Sequence, residues 1–330
     1  MMTGAGQRIG ASMKPRIVVS RCIEFEHCRW NGLVISSEFV RKLDGFVEFV
    51  KVCPEVEIGL GIPREPIRIV RTKGELRLVQ PATGRDVTDE MVSFSERFLD
   101  ALPPVDGFIL KSRSPSCGLK EAKIHASADK PGGVGKGSGF FASAVSERYP
   151  MLPVEDEGRL TNFRIREHFL TRIFALARFR AIRESGLMKD VVSFQAANKL
   201  LLMAYNQTEM RKLGRIVANP EKRPVGAVLD AYEEGLMHAL DKPSRFTSDI
   251  NVLMHALGYF SKKLGPEEKA FFLDTLEQYR NERIPLSACL SVIRSWIARF
   301  GEPYLKMQSY FEPYPTGLVE ITDSGKGRKL

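Results

Sequence analysis

Short apolar runs alternate with amphipathic stretches through the first half of the chain. Residues 16–20 (RIVVS) centre on three β-branched apolar residues and residues 46–52 (FVEFVKV) are mostly apolar, so both predict strands. Between them, residues 37–43 predict a short helix, and further extended pieces are expected over 66–70 and 76–79. Residues 86–102 (DVTDEMVSFSERFLDAL) open on Asp and Thr, both good helix caps, and continue with helical apolar spacing. Residues 107–111 (GFILK) predict another strand, and 140–148 another helix behind a glycine-rich run. Such alternation predicts an α/β domain, Rossmann-like, with a largely parallel sheet.

From Thr161 onward strand signals fade. Residues 163–184 (FRIREHFLTRIFALARFRAIRE) interleave Arg with Phe, and residues 193–213, 223–239, 247–264, 266–282 and 287–300 all carry helical spacing. An all-α C-terminal domain is therefore expected. The division that follows is an α/β domain over 14–160, an Arg-rich connecting helix over 161–190 and a helical domain over 191–318, with flexible tails at 1–13 and 319–330. No internal repeat stands out.

The five cysteines, Cys22, Cys28, Cys53, Cys117 and Cys289, are odd in number, dispersed, and without a C-x-x-C pair. That argues against a disulfide framework or a zinc site and for reduced thiols in the cytoplasm. Their placement is more telling than their number. Cys22 follows RIVVS, Cys53 follows FVEFVKV, and Cys117 sits in the loop SRSPSCG behind GFILK. The carboxyl ends of parallel strands share one edge, where ligands bind, so residues far apart in sequence can meet there. Three thiols at one edge suit a soft metal centre, the alternative being three small buried hydrophobes.

Charge adds one feature. Of the net +9, a stretch over residues 159–219 contributes +8, with twelve Lys and Arg against four Asp and Glu. This is either a polyanion-binding surface, nucleic acid foremost, or a solvated basic helix face. No apolar run approaches the roughly 18 residues of a membrane helix, so no membrane is expected as a partner. The run GGVGKGSG fails as a P-loop, since Gly137 follows Lys136 where Ser or Thr is required. Its glycines are expected to let the backbone approach the site.

Taken together, RIVVSRC, FEHCRWNG, VCPEVEIGLGIPREPIRIV, GRDVT, GFILKSRSPSCGLK and LPVEDEGRL resemble the thiouracil and thiouridine desulfidase family over about residues 14–160. LLMAYNQ, NVLMHALGYFSKKLGPEEKA and YLKMQSYFEPYP resemble a helical domain of once-unknown function often fused behind it. The combination resembles the tRNA 4-thiouridine desulfidases. The resemblance implies a 4Fe–4S cluster on Cys22, Cys53 and Cys117 with one iron open. It implies a non-redox removal of sulfur from 4-thiouridine in tRNA, giving uridine and hydrogen sulfide. Glu55 matches the family's catalytic acid/base and Ser114 its catalytic serine, able to hydrogen-bond that base. Substrate contacts are expected from Arg29, Trp30, Lys111 and Ser116, the last with a turn-stabilising hydroxyl as its other reading. A grip on tRNA is expected from Arg164, Arg166, Arg172, Arg178, Arg180 and Arg183. Cys28 departs from the family pattern and reads as a packed thiol or pocket residue. Two other functions stay open: a desulfidase of free thiouracil or thionucleosides, and a cluster-bearing RNA-binding or sensor protein without turnover.

Overall fold

The structure is a computed structural model and describes residues 13–128 and 132–322. Most of both expected tails therefore lies outside the described residues.

The α/β unit contains, in chain order, β1 (Arg16–Ser20), α1 (Glu38–Leu43), β2 (Glu48–Val52), α2 (Pro54–Glu57), β3 (Arg68–Thr72), β4 (Glu75–Gln80), β5 (Arg85–Asp86), α3 (Thr88–Asp100), β6 (Gly107–Leu110), β7 (Ala122–His125), β8 (Gly133–Gly137), α4 (Phe140–Arg148) and β9 (Val154–Asp156). The strands β2-β1-β6-β9 form one sheet, in that order, and every pair in it is parallel. Its central strands are buried along nearly their whole length and mostly apolar because both faces are covered, as expected of a parallel sheet. The chain leaves β1 toward β2 on one side and later places β6 on the other. That reversal is a topological switch point, with a crevice at the carboxyl ends of β1, β2 and β6.

A second, mixed sheet runs β5-β4-β3-β7-β8. The extended pieces expected over 66–70 and 76–79 belong to it, so among the described residues the all-parallel sheet takes four of the nine strands, and within the second sheet only β3 and β7 pair in parallel. β3 and β4 close as a tight hairpin through Lys73 and Gly74, at φ +51° and +91°, the left-handed pair a two-residue turn requires. The glycine run supplies β8, which pairs antiparallel with β7. Three glycines in five residues and an exposed position hide such an edge strand from hydrophobic patterning. Val18, Leu78, Met91, Phe94, Phe108 and Phe141 share one core.

The remaining helices are α5 (Phe163–Ser185), α6 (Met188–Tyr205), α7 (Gln207–Ala218), α8 (Val225–Ala239), α9 (Phe246–Phe260), α10 (Pro266–Arg280), α11 (Leu286–Phe300) and α12 (Pro303–Met307). The division between the two compact units falls inside α5, with Lys14–Ile173 the body of the first and Phe174–Gly317 that of the second. The stretch 193–213 is broken at Asn206, whose side chain accepts from the backbone N–H of Glu209 at 3.1 Å and so starts α7. Asn followed three residues later by Glu is an N-cap signal inside an otherwise continuous apolar pattern. Leu201, Leu253, Phe260, Phe272, Ile293 and Trp296 belong to the second unit's core. Among the described residues, no helix is long and apolar enough to cross a membrane.

Beside that core lies a buried carboxylate. Asp249, 1% exposed, accepts hydrogen bonds from Tyr310 (3.0 Å), Tyr279 (3.0 Å) and Ser244 (2.9 Å). Burial first, then the charge of Asp249, holds the Tyr310 hydroxyl well above its ordinary pKa, so it remains a donor. Asp249→Ala would remove the carboxylate to which the buried Tyr279 and Tyr310 hydroxyls donate. We expect it to cost about 2–5 kcal/mol, read as a lower urea midpoint in far-ultraviolet circular dichroism; Asp249→Asn, which keeps an acceptor, should cost less.

Candidate functional site

Three cysteines occupy equivalent places at the switch point. Cys22 lies two residues beyond β1, Cys53 directly follows β2 and caps α2, and Cys117 sits in the loop after β6. All three are buried and line one cleft of ≈ 860 Å³ together with Cys28, Glu55, Arg64 and Trp30. The Cys28 thiol lies near those of Cys22 and Cys53, and the Cys53 thiol contacts Cys28 O at 3.8 Å; the Arg21 guanidinium beside them also pairs with Glu26 and Glu57. The hydrogen bond with Cys28, then burial, raises the Cys53 thiol far above its ordinary pKa. Burial pushes Cys117 up to about 12, against the opposing pull of hydrogen bonds with Ser20 and Ser114. Both shifts favour the thiol over the thiolate, so ligation of iron would displace their protons.

Among the described residues, no three His, Cys, Asp or Glu side chains gather as the ligands of a single ion. A cluster makes a different demand, because each of its thiolates holds a separate iron. The donor set fits one: soft sulfur ligands only, buried, on three adjacent strand ends, around a cleft with space for a small ring.

Glu55 stands in the first turn of α2, two residues beyond Cys53. Arg64 donates to its Oε2 from Nε (2.9 Å) and Nη2 (2.6 Å), and Ser116 Oγ donates to Oε1 at 2.9 Å. The same guanidinium donates to the carbonyls of Cys28 (2.9 Å) and Gly61 (3.0 Å), while the Arg64 backbone N–H donates to Trp30 O at 2.8 Å. One buried arginine thus fixes both the carboxylate and the segment carrying Cys28, Arg29 and Trp30. No sequence signal marks Arg64, since a loop arginine has no periodicity.

The two serines divide their tasks differently from the expectation. The hydrogen bond to Glu55 comes from Ser116, which is wholly buried, and not from Ser114. Ser114 Oγ accepts from the backbone N–H groups of Ser116 and Cys117, both at 3.1 Å, which closes the turn, and it lines the cleft against Cys117. Lys111 also lines the cleft, but its ammonium is paired with Glu157 and donates to Ser112. Arg29 lines the wall, and Trp30, 45% exposed, lies at its solvent side.

The glycine run serves the SPSC loop. The backbone N–H groups of Gly139, Phe140 and Ala142 donate to Gly118, Pro115 and Ser116, seating the start of α4 on that loop. A Cβ on Gly139 would meet Ser116 backbone atoms at 2.5 Å and Pro115 O at 2.8 Å. Backbone cannot yield as a flexible side chain can. Gly139→Ala is therefore expected to lower stability by about 1–3 kcal/mol, seen as a reduced midpoint of thermal unfolding.

The arginines expected to grip RNA are largely engaged within the protein. Arg166, 3% exposed, donates to the carbonyls of Leu160, Thr161, Glu320 and Thr322. Arg172 donates to Met151 O and Arg178 to Pro313 O. Arg180 is buried and pairs with Glu184, while Arg183 pairs with Asp230 and Glu233. Arg164 is exposed. The interleaved Phe residues account for this: a helix with apolar residues all round carries its arginines into the protein, where carbonyls and carboxylates satisfy them.

Comparison with known proteins gives two family matches. The family described as 2-thiouracil desulfurase matches residues 17–157, and that described as protein of unknown function DUF1722 matches residues 199–315. A stretch of 158 residues is 30% identical to the uncharacterized protein YbgA of Escherichia coli K12, covering 47% of this chain and 93% of that protein. Another of 109 residues is 37% identical to the uncharacterized protein YbbK of Bacillus subtilis 168, covering 31% of this chain and 72% of the relative. Among solved structures, a 4Fe-4S-dependent thiouracil desulfidase is 28% identical with a TM-score of 0.36, covering 44% of this chain and 93% of that one.

Proposed function

This chain belongs to the family that joins a 2-thiouracil desulfurase domain to a DUF1722 helical domain, and from that membership we propose that it removes sulfur from free thiouracil-type bases with a 4Fe–4S cluster. The observation that carries the reading is the convergence of Cys22, Cys53 and Cys117 at three adjacent strand ends, in one cleft with Glu55. Cys22, Cys53 and Cys117 would hold the cluster. Bound there, it supplies a thiophilic Lewis acid with one iron not held by these three thiolates.

The chain's own groups perform the proton chemistry. Exchange of a thiocarbonyl for a carbonyl by water is a hydrolysis that releases hydrogen sulfide, and no electrons enter or leave. Glu55 takes the proton from the attacking water and returns it toward the departing sulfide. Arg64 and Ser116 hold both of its oxygens, so the carboxylate meets the substrate in one orientation. Val52, Pro54 and Ile67 give the cleft an apolar wall, and Trp30 offers a face on which a planar base can stack. Ser114 and Ser20, hydrogen-bonded with Cys117, orient its sulfur.

A free base is favoured over tRNA because most of the named arginines already have internal partners. The local +8 over residues 159–219 supports tRNA carrying 4-thiouridine as the second reading. Anaerobically loaded protein given free 2-thiouracil, 4-thiouridine, or tRNA carrying 4-thiouridine separates them by loss of thiocarbonyl absorbance. We expect the free compounds to turn over, and to do so equally after charge reversal at the exposed Arg211 and Arg215. Turnover confined to tRNA and lost on that reversal would assign the substrate to RNA. An intact cluster with no sulfur loss from any substrate would leave a binding or sensor protein.

A further inference from the structure

The fourth strand end of the parallel sheet carries a carboxylate where the other three carry a cysteine. Glu157 directly follows β9, as Cys53 directly follows β2. It reaches the start of the loop behind β6 and closes a hydrogen-bonded network there. The Ser112 N–H donates to its Oε2 at 2.8 Å, and Ser112 Oγ donates to its Oε1 at 2.7 Å. The Lys111 ammonium pairs with Oε1 and donates to Ser112 O and Ser112 Oγ, both at 2.9 Å. An ammonium has three donors, and all three are used inside this network. The Lys111 N–H donates to Ser20 Oγ at 2.9 Å, which ties the same point to the end of β1.

The next residue, Arg113, stands at φ +60°. A residue other than glycine keeps that left-handed conformation only where its surroundings hold it. From there the loop turns through Ser114 to Ser116, whose hydroxyl donates to Glu55. The start of α4 seats the far end of this loop, and Glu157 holds its near end.

We propose that Glu157 is a positioning residue of the site: by holding Lys111 and Ser112 it sets the path of the loop that brings Ser116 Oγ to Glu55. The inference rests on the function proposed above. Glu157 takes no proton from water and touches no substrate, and Lys111 serves as a strut within the loop. A carboxylate suits this task because both of its oxygens accept. Glutamine at this place offers one accepting oxygen and an amide group that only donates, so the Ser112 N–H or the Lys111 ammonium loses its partner. The loop can then shift, and a displacement of about 1 Å at the reacting groups is enough to cost about 10²-fold in rate.

Two measurements on full-length Glu157→Gln protein separate this role from a simple loss of stability. In metal-free protein, amide hydrogen exchange over residues 111–117 is expected to rise about tenfold over wild type, with exchange in β1 and α3 unchanged. In anaerobically loaded protein, iron content and the KM for free 2-thiouracil should stay within about twofold of wild type while kcat falls roughly 10–100-fold. Placed on Glu55→Gln, the same substitution should cost no more than about twofold further, because it acts through Glu55. Ser112→Ala removes one contact to Glu157 and keeps the N–H, so it should shift exchange and kcat in the same direction by less, and it decides if Glu157→Gln folds poorly. Wild-type exchange in the loop, a raised KM with kcat unchanged, or the full loss of rate repeated on Glu55→Gln overturns the proposal and leaves the proposed function standing. Loaded wild-type protein that releases no sulfide from any of the three substrates overturns that function, and this role with it.

Discussion

Glu55→Gln should retain the iron of the wild-type protein and lose about 10²–10⁴-fold in the rate of sulfide release. Glutamine keeps the shape: its amide oxygen can accept from Arg64 while its amide nitrogen donates to the rotatable Ser116 hydroxyl, so the cleft should persist. It cannot take a proton from water, and no other carboxylate contacts the Arg64–Ser116 frame in the described hydrogen bonds. Arg64 retains the carbonyls of Cys28 and Gly61 as acceptors, which limits the structural cost. Iron content and single-turnover sulfide release, measured on one preparation, check the expectation. A variant equal to wild type in both would remove Glu55 from the chemistry.

Cys117→Ser should abolish cluster loading and, with it, all turnover. A serine hydroxyl does not ionise near neutral pH and is a hard oxygen donor where iron–sulfur centres use thiolate. Cys117 is also part of the apolar core, so a modest loss of stability is expected alongside, with helical content retained. Cys289→Ser is the matched control. Cys289 is equally buried, but in the helical unit, where its thiol contacts Thr275 O at 3.8 Å. Its iron content should equal wild type, and iron analysis of the two variants side by side reads the difference.

The switch point was legible because its parts are local. β1, β2 and β6 announce themselves as short apolar runs, and each is followed closely by a cysteine, so topology alone brings Cys22, Cys53 and Cys117 to one edge. What escaped is what depends on partners. Arg64 reaches Glu55 across nine residues of irregular chain, Cys28 joins the other thiols through a loop, and Ser116 rather than Ser114 meets the base because of how one turn is closed. β8 has too few side chains to show a pattern, and the second sheet was visible only as unassigned extended pieces. The Arg-rich helix shows the same gap in reverse. Its charge count is correct, yet charge along a sequence does not reveal that Arg166 is buried against four carbonyls or that Arg183 faces two carboxylates.

The central claim is that the cleft bearing Cys22, Cys53, Cys117 and Glu55 hydrolyses a thiocarbonyl. Its most direct test is the product balance of anaerobically loaded, full-length protein given free 2-thiouracil with no electron donor present. The account predicts uracil and sulfide in equal amounts over repeated turnovers, with the iron content unchanged. Protein that holds its cluster and releases neither product, or releases sulfide only when a reductant is supplied, would contradict it.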